Sequence, residues 1–146
     1  MALDASTRET LAKAFERHAE EEGRILARYR VLAERLGPSP ARFLVNLIMT
    51  EEELHHELLR ATARWLREDR ASEASPIAAG GSADELVLRT EELQAHEQDT
   101  IEACRGLQSG LSGAGGELLA SVLEVMAMDS EKHHRLLATV VRIIKG

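Results

Sequence analysis

Three clusters of helix-breaking residues cut this chain into four long segments of helical period, and that punctuation constrains the fold more than any other feature. The first segment runs from about Thr7 to Leu36, with Ser6 and Glu9 placed as a capping box at its start. Gly37-Pro38-Ser39-Pro40 ends it, and Ser39 then caps a second helix that has Pro40 at its first position and runs to about Asp69. Residues 70–81 read as a linker by composition. Ser82 with Glu85 is a second capping box, opening a third helix that extends to about Gln108. A glycine-rich turn from Ser109 to Gly116 leads to a fourth helix, Glu117 to Lys145. The expected fold is all-α, a four-helix bundle, as one domain spanning residues 1–146. Apolar residues at 44% with aromatics at only 3% agree with helices rather than sheets.

Connection lengths suggest a topology. The first and third connections are short, so each joins antiparallel neighbours into a hairpin. The middle linker could span roughly 40 Å at about 3.3 Å per residue. That is close to the roughly 45 Å length of a helix of about 30 residues. A longer crossover linker between two antiparallel helical hairpins is therefore expected, with a plain up-down bundle as the other arrangement. The halves also echo one another: His55-His56-Glu57-Leu58-Leu59-Arg60-Ala61 resembles His133-His134-Arg135-Leu136-Leu137-Ala138.

Several function classes are disfavoured. A net charge of −7 without a basic run argues against nucleic acid and anionic membrane as partners. The single cysteine, Cys104, permits neither an internal disulfide nor a Cys-x-x-Cys metal knuckle. No apolar run approaches the roughly 18 residues that would span a bilayer, and Met1-Ala2-Leu3-Asp4 does not read as a signal peptide. A cytoplasmic location is expected, with a homo-oligomer, dimer or larger.

A helix wheel then asks which polar residues face inward. In the first helix Leu11, Phe15, His18, Glu22, Ile25, Tyr29, Leu32 and Leu36 fall on one stripe, with Glu22 at its middle. In the third, Glu97 shares a stripe with Leu86, Leu93, Cys104 and Leu107. In the second, Leu44, Ile48, Leu59 and Leu66 flank His55, with Glu51 and Glu52 on the shoulders. In the fourth, Leu119, Val122, Met126, Leu137, Val140 and Ile144 surround His133, with Asp129 one turn before it. All these polar residues lie near mid-helix, so Glu22, Glu52, His55, Glu97, Asp129 and His133 are expected in one layer. A carboxylate buried without a partner costs several kcal/mol or more, while a domain's whole stability is about 5–15 kcal/mol. Two divalent cations would balance four carboxylates, and oxygen with imidazole donors suits iron or manganese. Shared protons, trapped water and outward rotation of some Glu side chains are the metal-free alternative. Of the remaining residues, His18 reads as a hydrogen-bonded core histidine beside the site. Tyr29, Cys104, Met49, Met126 and Met128 read as core packing, and Trp65 as an anchor at a bundle end or subunit contact.

This pattern resembles the ferritin-like and rubrerythrin-like di-iron carboxylate proteins, in which two helices give one Glu each and the other two give Glu-x-x-His. Glu22 and Glu97 match the single Glu positions, Glu52-Glu53-Leu54-His55 matches Glu-x-x-His, and Tyr29 follows Glu22 by seven residues as in the rubrerythrin first helix. The resemblance implies iron, with manganese as the alternative. It also implies oxidoreductase or iron-oxidase activity toward dioxygen or peroxide. Helix four departs from the pattern: Ser130 stands three residues before His133, and the literal Glu131-Lys132-His133-His134 turns Glu131 toward solvent on the wheel. Asp129 is the expected substitute. No Cys-x-x-Cys domain follows, which excludes a complete rubrerythrin. Hemerythrin-like oxygen carriage is disfavoured because Leu59 and Arg60, not carboxylates, stand four residues after His55 and His56. A metal-free bundle serving as an interaction or scaffold module is the alternative function.

Overall fold

The computed structural model describes residues 3–68, 82–111 and 116–146. The protein is all-α with four helices: α1 Ala5–Leu36, α2 Pro40–Arg67, α3 Ala83–Ser109 and α4 Gly116–Lys145. Among the described residues there is no strand, and no helix is long and apolar enough to cross a membrane. The expected linker at 70–81, with its crossover, and residues 112–115 of the glycine-rich turn lie outside the described residues.

Two of the three expected starts are capped as the sequence implies. Ser39 accepts from the backbone N–H of Arg42 at 3.1 Å, with Pro40 at the first helical position. Ser82 accepts from Glu85 N–H at 3.2 Å, while the Glu85 carboxylate turns instead to Arg89 at 2.9 Å. The first cap is Asp4, not Ser6: its carboxylate accepts from Thr7 N–H at 2.9 Å and Thr7 Oγ1 at 2.6 Å. Asp caps as well as Ser, and its charge favours the helix N-terminus. Glu9, freed from the expected box, is held by Arg67. Gly37 closes α1 at φ 58°, a left-handed conformation that suits glycine, and its N–H donates to Glu34 O at 3.4 Å.

The chain divides into two compact units, one built on α1 and α2 and one on α3 and α4. In the first, Arg67 near the end of α2 pairs with Glu9 and Glu16 near the start of α1, and His56 bonds Ala19, so the helices run antiparallel. In the second, Lys145 pairs with Glu91, Gln94 with His134, and Arg105 with Glu124, which is again antiparallel.

The contact line within each hairpin differs from the expected stripes. In α1 the buried residues are Ala12, Ala19, Leu26 and Ala33, seven apart, with half-buried Phe15, Glu22, Tyr29 and Leu36 between them. The facing line of α2 is Val45, Met49, Glu52, His56, Leu59, Ala63 and Leu66. This is heptad spacing, and the small residues let the backbones approach closely. Leu11, Ile25, Leu32 and Ile48, expected inside, lie beside the seam and are exposed. The second hairpin repeats the arrangement. Thr90, Glu97 and Cys104 of α3 meet Ala127, Ser130 and His134 of α4, while Leu93, Leu107, Leu119, Met126, Met128 and Val140 are exposed. A two-helix contact is one line wide, narrower than the apolar face of either helix, so bulky residues at the flanks stay outside it.

Candidate metal centre

Glu22 lies on the α1 seam and Glu52 on the α2 seam at the same level, because Ala19 and His56, each about one turn away, are bonded to each other. Their side chains are 18% and 22% exposed, low for carboxylates. His55, three residues after Glu52 on the same helix, stands off the seam and is half exposed, with Nδ1 3.9 Å from Glu52 Oε2. One donor atom from each of Glu22, Glu52 and His55 lies within 4.8 Å of the others.

The electrostatics of this cluster oppose ionising both carboxyl groups. The hydrogen bond between the two carboxyl groups holds Glu52 above the ordinary carboxylate range. Burial and the Glu22 charge push it the same way, against a smaller opposite effect from His55. Ionising both carboxyl groups is therefore disfavoured at this spacing. Glu22 Oε2 is buried and has no hydrogen-bond partner among the described residues. His18, on the adjacent turn of α1, is mostly exposed and stands 3.9 Å from Glu22 Oε1 and 3.6 Å from Glu21, at the rim rather than in the core.

The second hairpin brings two of the expected residues together. His133 Nδ1 lies 3.5 Å from Glu97 Oε1, with Glu97 on the seam and His133 beside it, as Glu22 and His55 are placed in the first. The position matching Glu52 is Ser130, which is 6% exposed. Neither of the two candidate carboxylates of helix four, Asp129 and Glu131, occupies the seam. Asp129 is taken by Lys132 at 2.7 Å, and Glu131 accepts from Arg105 at 3.4 Å. Among the described residues, no third donor joins Glu97 and His133 at the spacing found in the first hairpin. Cys104 is buried on the seam seven residues after Glu97, as expected of a small core residue.

Two residues that matter to the geometry are His56 and Gln94, which the sequence reading left unassigned. The signal for His56 was available: it falls on the line Glu52–His56–Leu59–Ala63 with alternating four and three spacing.

The donor set passes a chemical test for a cation. Two carboxylates offset the charge of one divalent ion, a neutral imidazole adds a nitrogen, and one buried oxygen lacks any other partner. A comparison with protein-family models, curated proteins and solved structures finds no match to this chain.

Proposed function

We propose that the first hairpin binds iron or manganese through Glu22, Glu52 and His55, and that the protein is a metal-dependent oxidoreductase or iron oxidase acting on dioxygen or peroxide. The observation that carries this reading is the buried Glu22 Oε2, left without a partner beside a second carboxyl group. An unpaired buried carboxylate costs several kcal/mol, so a site that keeps two of them facing each other is suited to a cation. Three protein donors leave coordination positions open for other ligands. When bound, the metal supplies the redox chemistry; in the iron-oxidase form ferrous ion is itself the substrate.

The chain's own groups do the rest. Glu22 and Glu52 set charge and position, and both bind a cation as carboxylates. His55, half exposed at the rim, contributes a ring nitrogen. Glu97 and His133 offer a second place for a cation with two donors. Asp129 has no part in this assignment, because Lys132 holds it.

A metal-free interaction or scaffold role is the second reading. The exposed stripe Leu54, Leu58 and Trp65 along α2 favours it, since large apolar residues at helical spacing suit a partner. Titration separates the two. Metal-free protein with Mn²⁺ or anaerobic Fe²⁺ should bind the cation and melt at higher temperature by mass action. Glu22→Ala should lose most of that increment. A melting point unmoved by excess metal would favour the scaffold.

A further inference from the structure

His56 is a seam residue about one turn after Glu52, and its Nδ1 lies 2.8 Å from the carbonyl oxygen of Ala19. A carbonyl only accepts, so Nδ1 carries the hydrogen and donates. Ala19 is in turn three residues before Glu22. The bond therefore ties the two helices together at a level within roughly 4.5–6 Å of the carboxylates, at 1.5 Å per residue.

Packing gives the nearby seam few interlocking bulky residues: Ala12, Ala19 and Ala33 present only a methyl group, and Leu26 is the one large buried side chain of the α1 line among the described residues. Arg67 and Arg30 also link the helices, to Glu9, Glu16 and Glu53, but on long side chains whose reach tolerates a shift. A slide by one residue is about 1.5 Å along the axis. That is comparable to a whole metal–oxygen bond of about 2 Å, and would carry Glu52 out of level with Glu22.

The second hairpin supplies an independent parallel. Gln94, three residues before Glu97, donates from Nε2 to His134 O at 3.5 Å, and His134 is four residues after Ser130. The same level of the seam is bridged again by a side chain to a backbone carbonyl, with the roles of the two helices exchanged. We infer that His56 is a positioning residue for the cation site. Its hydrogen bond to Ala19 O fixes the register of α1 against α2 and so holds Glu22 and Glu52 opposite one another. This rests on the cation reading above.

The test uses the full chain, stripped of metal, with Mn²⁺ for affinity by calorimetry and Co²⁺ for its visible ligand-field spectrum. His56→Asn can place an amide N–H where Nδ1 stands, whereas His56→Gln sets its amide one carbon further out and His56→Leu has no donor. Expected is a loss of about 10–100-fold in Mn²⁺ affinity for Gln and Leu, the range typical of groups that orient ligands. The Co²⁺ spectrum should change with them, and Asn should stay near wild type in both. A residue that only supports the fold would lower the melting temperature while leaving the Co²⁺ spectrum of the loaded protein unchanged. Equal affinity and spectra for Asn and Gln overturn the inference even if Leu fails to fold. If the wild type itself takes up no Mn²⁺, or takes it up equally after Glu52→Ala, the cation reading fails and this inference with it.

Discussion

Glu22 and Glu52 face each other across the seam of the first hairpin, and their proximity disfavours ionising both. Glu52 is held above its ordinary range, first by the hydrogen bond to Glu22 and then by burial. A group whose folded pKa is raised stabilises the fold fully below its unfolded pKa. That contribution is lost as pH rises through the folded value. At neutral pH, without metal, the pair thus opposes folding. Glu52→Gln keeps a donor for Glu22 and removes one charge, so the metal-free variant should melt above wild type at pH 7. The difference should shrink on acidification into the carboxylate range. Added Mn²⁺ should reverse the order, since only the wild type keeps the full donor set. Melting curves at several pH values check both parts, and a variant less stable than wild type at neutral pH would contradict the account. At this scale the sequence was informative where chemistry dictates spacing. Glu52-x-x-His55 places two donors on one side of a helix whatever else happens. It was uninformative about Asp129, because the competitor, Lys132 three residues on, is an ordinary surface lysine until its ammonium is seen at 2.7 Å.

Among elements, the helical boundaries were legible and the contact faces were not. Ser39-Pro40, Ser82 and Gly37 mark helix ends through local bonds that need no tertiary context. The facing of each helix depends on its partner. A wheel weighted by apolar bulk chose Leu11, Ile25 and Leu32, whereas the seam runs through their neighbours Ala12, Leu26 and Ala33, one residue or about 100° away. Small residues contribute little to a hydrophobic average, yet they decide how near two helices come. Two substitutions gauge this seam. Leu66, 4% exposed beside Ala12 and Ala63, should cost about 2–5 kcal/mol on truncation to Ala. Leu58, on the outer face at 60% exposure, should change stability within about 0.5 kcal/mol. Comparable losses at both positions by urea unfolding would show that the outer face, not the seam, is the energetic core. Gly23 offers a gain: it lies mid-helix, and an added Cβ would rest 3.6 Å from His56 Cε1, an ordinary contact. Gly23→Ala should therefore stabilise by about 0.5–1 kcal/mol through helix propensity. A loss instead would mean the His56 ring tolerates no neighbour there.

At the scale of the whole chain, the two hairpins are variations on one seam, and their differences say what each hairpin can do. Glu22 matches Glu97, His55 matches His133, and His56 matches His134. Tyr29 and Cys104 occupy the same place, seven residues after the acid. The decisive change is Glu52 against Ser130. In the second hairpin Glu97 faces a neutral hydroxyl, so there is no like-charge pair to relieve. Its ion-pair neighbour among the described residues is His133, with Nδ1 3.5 Å away. The weak repeat in the sequence could reveal kinship between the halves. Aligning His55 with His133 also sets Glu52 against Ser130; what the repeat could not show is that both positions lie on the seam, which depends on how the helices of each hairpin pack. The substitution Ser130→Glu tests the comparison. Ser130 is almost fully buried, so a carboxylate there is desolvated opposite Glu97. It should destabilise the metal-free protein at neutral pH by at least about 1–3 kcal/mol, the cost of a buried polar group without partners. The loss should ease as pH falls and the new pair takes up a proton, as at Glu52. With Mn²⁺ present, Glu97, His133 and the introduced carboxylate reproduce the donor types of the first hairpin, so calorimetry should show additional uptake and most of the lost stability should return. Destabilisation without any metal rescue would show that matching donor types on the seam is insufficient. The first hairpin's site would then owe its affinity to features that the second lacks, Tyr29 and the His56–Ala19 bond foremost.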